Sequence, residues 1–86
     1  MDEILKLVSK KSGISGEEII RKKGNLGTCE ARRIFIYLAY KNYSKRQIAG
    51  FLGRTIQNIG EQINIFNCEL NIYKNLREKL RGYIND

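Results

Sequence analysis

The stretch Ser44–Phe66, with the sequence SKRQIAGFLGRTIQNIGEQINIF, decides the fold of this chain. Its pattern predicts a helix, a sharp turn and a second helix. Ser44 followed by Gln47 is the signature of a capping box, which starts the first helix. Gly53 accepts the left-handed backbone angles that end a helix in a tight turn. Thr55 is typical of the N-cap that starts the next helix.

The second helix of this stretch, residues 55–70, has an apolar side and a polar side. Apolar side chains recur every three or four residues and predict a stripe that faces the core; they are Ile56, Ile59, Ile63, Phe66 and Leu70. The outward side near the helix start carries polar side chains, namely Gln57, Asn58, Glu61 and Gln62. Glutamine and asparagine can pair bidentately with adenine in a major groove. With Ala49, Gly53 and Ile59 at close-contact positions, the pattern predicts a helix-turn-helix.

The distribution of charge favours a polyphosphate partner. The chain has a formal net charge of +7, from 16 basic and 9 acidic residues. No acidic residue occurs between Ala31 and Gly60, a stretch that contains six basic residues: Arg32, Arg33, Lys41, Lys45, Arg46 and Arg54. Three more cations lie just upstream, at residues 21–23. A basic middle of this kind suits nucleic acid; a solvated, lysine-rich surface is the alternative interpretation.

Length and composition restrict the classes of function. The 86 residues suffice for one domain with a modest core. The chain contains no histidine, and its two cysteines, Cys29 and Cys68, are too few for a zinc site. No paired carboxylates or nucleotide-binding loop are recognisable, so we expect no enzyme, no catalytic residue, no metal and no cofactor. Acidic residues directly after Met1 and the lack of a long apolar run predict a cytoplasmic protein with no membrane partner.

Two short helices are predicted at the start of the chain. The first runs from Asp2, its expected N-cap, to about Ser12. The second lies within Ile14–Lys23, where Ser15 and Glu18 form a capping-box signature. Acidic residues are expected in first helical turns, where the helix dipole favours them: Asp2, Glu3, Glu17, Glu18 and Glu30.

A long central helix and a last helix complete the prediction. Residues 24–27 are a loop, and Thr28 caps a helix that extends to about Lys41. The expected buried face of this helix consists of Ala31, Ile34, Phe35, Leu38 and Ala39. After a break near Asn71, a last helix runs to about Ile84. Apolar residues resume there at Ile72, Tyr73, Leu76, Leu80 and Tyr83.

Three segments, S-G-E-E-I-I (15–20), A-R-R-I-F-I-Y-L (31–38) and S-K-R-Q-I-A-G-F-L-G-R (44–54), together resemble a known bacterial family. They are similar to the C-terminal DNA-binding domain of the replication initiator DnaA, and the resemblance covers nearly the whole chain. It implies an all-α, Trp-repressor-like bundle of about six helices around a central helix-turn-helix, as a single domain over residues 1–86. It also implies double-stranded DNA as the partner. The role implied is in replication or, as for similar domains of transposase-like proteins, in transposition.

The resemblance implies base-reading chemistry that differs from that of DnaA. In the family, the signature Gly-Gly-Arg-Asp-His-Thr-Thr opens the recognition helix. Here Gly53-Arg54 matches its Gly-Arg, while Thr55, Ile56 and Gln57-Asn58 replace the Asp, the His and the two Thr. The family's basic loop places an arginine in the minor groove, and residues 21–24 are the corresponding region here.

The leading hypothesis is sequence-specific binding of double-stranded DNA, with residues 55–70 as the recognition helix in the major groove. The candidates for reading base edges are Thr55, Gln57, Asn58, Glu61 and Gln62. The candidates for holding phosphates or reaching a minor groove are Arg21, Lys22, Lys23, Arg32, Lys45, Arg46 and Arg54. A DNA-binding domain of this size usually gains specificity from a second copy of itself or from a larger parent protein.

Two other functions fit parts of the pattern. The replaced DnaA signature suits a protein–protein interaction module that has lost sequence-specific DNA recognition. Tyr37, Tyr40, Tyr43 and Tyr73 could stack on single-stranded bases, but their helical spacing favours packing at the edge of the core. The stretch without acidic residues favours DNA as the partner, because a neutral surface that binds a protein does not require the absence of acidic residues.

Overall fold

The protein folds as a bundle of α-helices, which confirms the predicted all-α class. The computed structural model describes residues 1–21 and 26–84, and these two ranges contain no strand. Their six helices are α1 Asp2–Ser12, α2 Gly16–Ile20, α3 Leu26–Ala39, α4 Lys45–Leu52, α5 Ile56–Ile72 and α6 Lys74–Ile84. Within the same ranges, none of the helices combines the length and the apolarity that crossing a bilayer requires.

Helix α3 lies at the centre and packs against α1, α2 and α5. Because neighbours cover it on more than one side, three successive side chains, Ile34, Phe35 and Ile36, are at most 1% exposed. Ala31 and Ala39 are buried as predicted, whereas Leu38 is half-buried.

Helices α4 and α5 pack on each other and form the predicted pair. Ala49 of α4 and Ile59 of α5 are both buried, which confirms their expected contact positions. The ring of Phe51 meets the ring of Phe35 edge-on, with 5.7 Å between the centroids. This contact joins the helix pair to α3, so the position of α5 is set by the core.

The first helix differs from the prediction at its start, and the second agrees with it. Asp2 is already helical, and Met1 before it makes no side-chain capping bond. Asp2 therefore stabilises α1 from within the first turn, where its charge faces the positive end of the helix dipole. Helix α2 is capped by Ser15, whose hydroxyl accepts a hydrogen bond from the Glu18 amide at 3.3 Å. It ends at Ile20, directly before Arg21 and within the predicted segment Ile14–Lys23.

Helix α3 begins at Leu26, two residues before the predicted cap Thr28. Thr28 is buried within the first turn, and a residue inside a helix cannot act as its N-cap. Leu26 and Gly27 are therefore helical, although the sequence places them in a loop. Glu30 lies beyond the first turn and instead pairs with Lys79 of α6, with 2.6 Å between the two charged groups.

The predicted break near Asn71 is present at Tyr73, which alone separates α5 from α6. Ile72 and Tyr73 are 70% and 56% exposed, so the predicted resumption of the apolar pattern there is wrong. Leu80 and Tyr83 are buried where α6 packs on α5 and α1.

Candidate nucleic-acid interface

A tight turn fixes the start of α5 relative to α4. The Ser44 hydroxyl accepts from the Gln47 amide at 3.2 Å, and the Gln47 side-chain oxygen accepts from the Ser44 amide at 2.9 Å. This completes the predicted capping box. At the other end of α4, Gly53 adopts a φ of 66°. Thr55 then caps α5 by accepting from the Asn58 amide at 3.0 Å, as predicted.

The outward side of the first two turns of α5 carries Gln57 and Glu61. Both side chains are exposed, in agreement with their predicted placement. Thr55 is exposed as well, but its oxygen already accepts the capping bond. Its hydroxyl proton remains a donor, so Thr55 can contribute one hydrogen bond to a ligand at the helix start.

Two other predicted base readers lie on the side of α5 that faces α3. Gln62 accepts a hydrogen bond through Oε1 from Arg33 Nε at 3.0 Å. Asn58 lies one turn earlier on the same side, and its Oδ1 is buried without a hydrogen-bond partner among the described residues. The predicted outward placement is therefore wrong for Gln62 and for the side-chain oxygen of Asn58.

Arg32 lies inside the protein, although the sequence suggests a phosphate contact. Its side chain is only 8% exposed. Arg32 Nε donates to the Ile19 carbonyl at 2.6 Å, and Nη2 donates to the Arg21 carbonyl. The last carbonyls of a helix lack partners within that helix. Arg32 supplies donors to the end of α2, and its burial contradicts the predicted contact with phosphate.

Arg54 donates to the same helix end. Its Nη1 lies 3.5 Å from the Ile20 carbonyl oxygen, and its Nη2 lies 3.4 Å from the Arg21 carbonyl oxygen. Burial, followed by the nearby charge of Arg32, lowers the pKa of Arg54 from its ordinary value. An arginine side chain nevertheless stays protonated in proteins, so Arg54 keeps its charge and shares it with α2.

Together these two arginines hold the end of α2 beside the start of α5. Arg54 directly precedes the Thr55 cap, and its guanidinium reaches the carbonyl of Arg21. The exposed Arg21, which ends α2, therefore lies next to the first turn of α5. Residues 22–25, with the predicted phosphate ligands Lys22 and Lys23, lie outside the described residues.

Lys45 and Arg46 lie in the first turn of α4. Lys45 Nζ is 5.7 Å from the centroid of the Tyr40 ring, and it is 3.7 Å from the place that a Cβ would occupy at Gly60. Its ammonium therefore lies against the second turn of α5. Arg46 is exposed. The backbone carbonyl of Arg21, through its contact with Arg54, and the ammonium of Lys45 thus both lie near the first two turns of α5.

Acidic residues are distributed unevenly over the helix starts. The first turns of α1 and α2 each contain two, whereas those of α4 and α5 contain none. The free amide groups at a helix start carry a partial positive charge. At α4 and α5 this charge adds to that of the neighbouring cations, so both helix starts suit an anionic ligand.

Two features in and around α5 were not predicted from the sequence. Ile56, predicted to be in the core stripe, is 45% exposed. The sequence could have indicated this exposure, because Ile56 is the first residue of α5 and a helix end has fewer neighbours than a helix centre. The second is Arg33, which contacts Gln62 and also pairs with Glu69 at 2.8 Å. Sequence separations of 29 and 36 residues give no local signal for these contacts.

Away from this surface, a cleft of about 490 Å³ lies between α3, α5 and α6. Its charged side chains form two ion pairs, Arg33 with Glu69 and Glu30 with Lys79. In the described part of the chain, no three His, Cys, Asp or Glu side chains are grouped so that they could hold a metal ion.

The chain matches no protein-family model, and it matches none of the curated proteins in sequence.

Proposed function

We propose that this protein binds double-stranded DNA with α5 as its recognition helix. The major groove of B-DNA is wide enough to admit an α-helix. In the proposed complex, the first two turns of α5 lie in the groove. Arg21 and the first turn of α4 lie on the phosphates that flank it. The motif resemblance to the DnaA domain supports the same partner.

One observation carries the proposal: cationic residues lie near an exposed, polar helix start. The Arg21 segment is held near it through the 3.4 Å contact of the Arg21 carbonyl with Arg54. The Lys45 ammonium lies near Gly60 in the second turn of α5. The same two turns expose Gln57 and Glu61. Phosphates border the groove that exposes base edges, so cations beside exposed polar side chains are complementary to DNA.

The proposal gives the exposed side chains different roles. Gln57 can accept and donate at one adenine, and Glu61 can accept from the amino group of a cytosine. Lys45 and Arg46 bind phosphates, which adds affinity but no sequence preference. Arg54 positions the Arg21 segment, since its own guanidinium is bonded to α2.

A protein–protein interaction module is the second candidate. Three large apolar side chains are exposed in the later turns of α5 and just after it: Ile65, Ile72 and Tyr73. They lie away from the first turn that carries Gln57. A partner protein could therefore cover them without touching the proposed DNA surface.

Selection from a pool of random-sequence duplexes tests the proposal, with binding measured over a series of salt concentrations. We expect an enriched motif, and we expect affinity to fall as salt rises. The Gln57→Ala variant should lose the preference at one base pair. The matched control is Asn71→Ala, which removes an exposed amide from the last turn of the same helix and should keep the full preference.

The outcomes separate the two candidates. Salt-sensitive binding without an enriched motif would retain DNA as the partner and remove sequence reading by α5. If the chain fails to bind duplexes even at low salt, the proposal is wrong and the protein-interaction function takes its place. A general loss of affinity in Asn71→Ala equal to that in Gln57→Ala would show that the surface has been misplaced.

A further inference from the structure

Ile56 is an exposed apolar side chain within a polar and cationic surface. Five large hydrophobic side chains among the described residues are exposed: Tyr40, Ile56, Ile65, Ile72 and Tyr73. Tyr40 lies beneath the Lys45 ammonium, and the last three lie in or just after the later turns of α5. Ile56 alone of the five belongs to the first turn of α5, where it neighbours Gln57.

The space in front of this turn is open. A Cβ added at Gly53, or at Gly50 on the exposed side of α4, would meet no atom within 4 Å. Side chains in a helix lean towards its amino end. Ile56 therefore leans towards the turn at Gly53. Nearly half of it, 45%, remains exposed.

The surroundings restrict what can cover Ile56. Arg54, the Arg21 carbonyl that it contacts, and the Lys45 ammonium lie near the first two turns of α5. A helix start also has amide groups without partners in the helix. A ligand that fits must be anionic around the site and apolar at its centre. In a DNA major groove, the C5-methyl group of thymine is the apolar group on the base edges, and phosphates surround it.

We propose that Ile56 contacts the C5-methyl of a thymine and thereby selects thymine beside the base pair that Gln57 reads. The two residues are successive in the first turn of α5, so their side chains leave the helix about 100° apart and can contact different base pairs of one site. This inference rests on the proposed function. It gives a specificity-determining contact to Ile56, a residue that the sequence pattern placed in the core.

Deoxyuridine replacement tests the contact, because uracil pairs like thymine but lacks the methyl group. The site enriched by the 86-residue chain is synthesised with each thymine replaced in turn by deoxyuridine. We expect one replacement, next to the pair sensitive to Gln57→Ala, to weaken binding by the wild-type chain about fourfold, the factor expected for one buried methyl. Replacements elsewhere in the site should have little effect.

The Ile56→Ala variant completes the test. It should bind the thymine site about as weakly as the wild-type chain binds the deoxyuridine site, and it should be insensitive to the replacement. The matched control is Ile65→Ala, which removes an exposed isoleucine from a later turn and should keep the full sensitivity. Thermal unfolding of both variants should match that of the wild-type chain, since both side chains are exposed.

Each other outcome overturns the inference. If no deoxyuridine weakens binding to an enriched site, or if Ile56→Ala remains sensitive, the methyl contact is absent while the DNA-binding function stands. If duplexes bind without an enriched site, a methyl read at a fixed position is also excluded. If no duplex binds, the proposed function fails first, and the inference fails with it.

Discussion

The carboxyl end of α2 and the amino end of α4 both gather basic residues, and they use them in opposite ways. At the end of α2, Arg32 and Arg54 donate to the carbonyls of residues 19–21. At the start of α4, Arg46 is exposed, and neither a hydrogen bond nor an ion pair joins its guanidinium to the described residues. One set of cations holds the fold together, and the other is available to a ligand.

The comparison shows that the role of a basic residue depends on whether hydrogen-bond acceptors lie within reach of its side chain. A helix end leaves carbonyls without partners. An arginine from a neighbouring helix can satisfy several of them, because its five N–H groups form a planar fork. A helix start offers amide donors rather than acceptors, so Arg46 at the start of α4 finds no acceptor on that helix end and is exposed.

The largest effect is expected for Arg32→Ala, which should lower the free energy of unfolding by about 3 kcal/mol. The variant loses two charge-assisted hydrogen bonds and leaves the buried carbonyl of Ile19 without the Arg32 donor, whereas the carbonyl of Arg21 keeps its contact with Arg54. Urea unfolding followed by circular dichroism measures the change. Arg32→Lys should recover only part of it, because an ammonium cannot match the fork geometry.

Arg46→Ala is the control for that comparison and should change the free energy of unfolding by less than about 0.5 kcal/mol. Equal losses in Arg32→Ala and Arg46→Ala would contradict the division between structural and available cations. A decrease of less than about 1 kcal/mol in the free energy of unfolding of Arg32→Ala would contradict it as well.

Arg54→Ala should lie between these two variants, with a loss of about 1 kcal/mol in the free energy of unfolding. Its two hydrogen bonds are long, at 3.4 and 3.5 Å, and its side chain is only half-buried. The same variant should weaken binding to all DNA sequences alike, because the Arg21 segment is then no longer held beside α5. Unfolding and duplex binding measured on one preparation test both effects.

A binding effect without a stability effect is expected for Arg46→Ala. The slope of log affinity against log salt concentration should become shallower by about 1, the change for one lost phosphate contact. The matched control is Arg77→Ala, which removes an exposed arginine from α6 and should leave the slope unchanged. An unchanged slope in Arg46→Ala would show that α4 does not approach the DNA backbone.

The helix caps and the turn that border this surface could be predicted from short-range sequence patterns. The Ser44 capping box, the left-handed Gly53 and the Thr55 cap depend on residues within three positions of one another, and all three are as predicted. Local rules failed at Thr28. Threonine is as acceptable in the first turn of a helix as outside it when a neighbouring helix covers it, and only the packing of α3 decides between the two.

The roles of Arg32 and Gln62 could not be predicted for a different reason. Both side chains bond to helices distant in sequence, Arg32 to the end of α2 and Gln62 to Arg33 of α3. A sequence pattern gives the side of a helix on which a residue lies, but not whether a neighbour offers an acceptor there. Predictions of outward-facing residues are therefore least reliable at the edge of an apolar stripe.

A small effect is expected for Arg33, whose ion pair with Glu69 lies at the edge of the core. The two side chains are 29% and 31% exposed, so water screens much of their attraction. A double-mutant cycle with Arg33→Ala and Glu69→Ala should give a coupling of about 0.5 kcal/mol that decreases as salt is added. The pair Lys79–Glu30 is the control: it is shorter, at 2.6 Å, but its side chains are 55% and 40% exposed. If exposure rather than distance limits such pairs, Lys79 and Glu30 should couple more weakly than Arg33 and Glu69, and the reverse order would contradict that explanation.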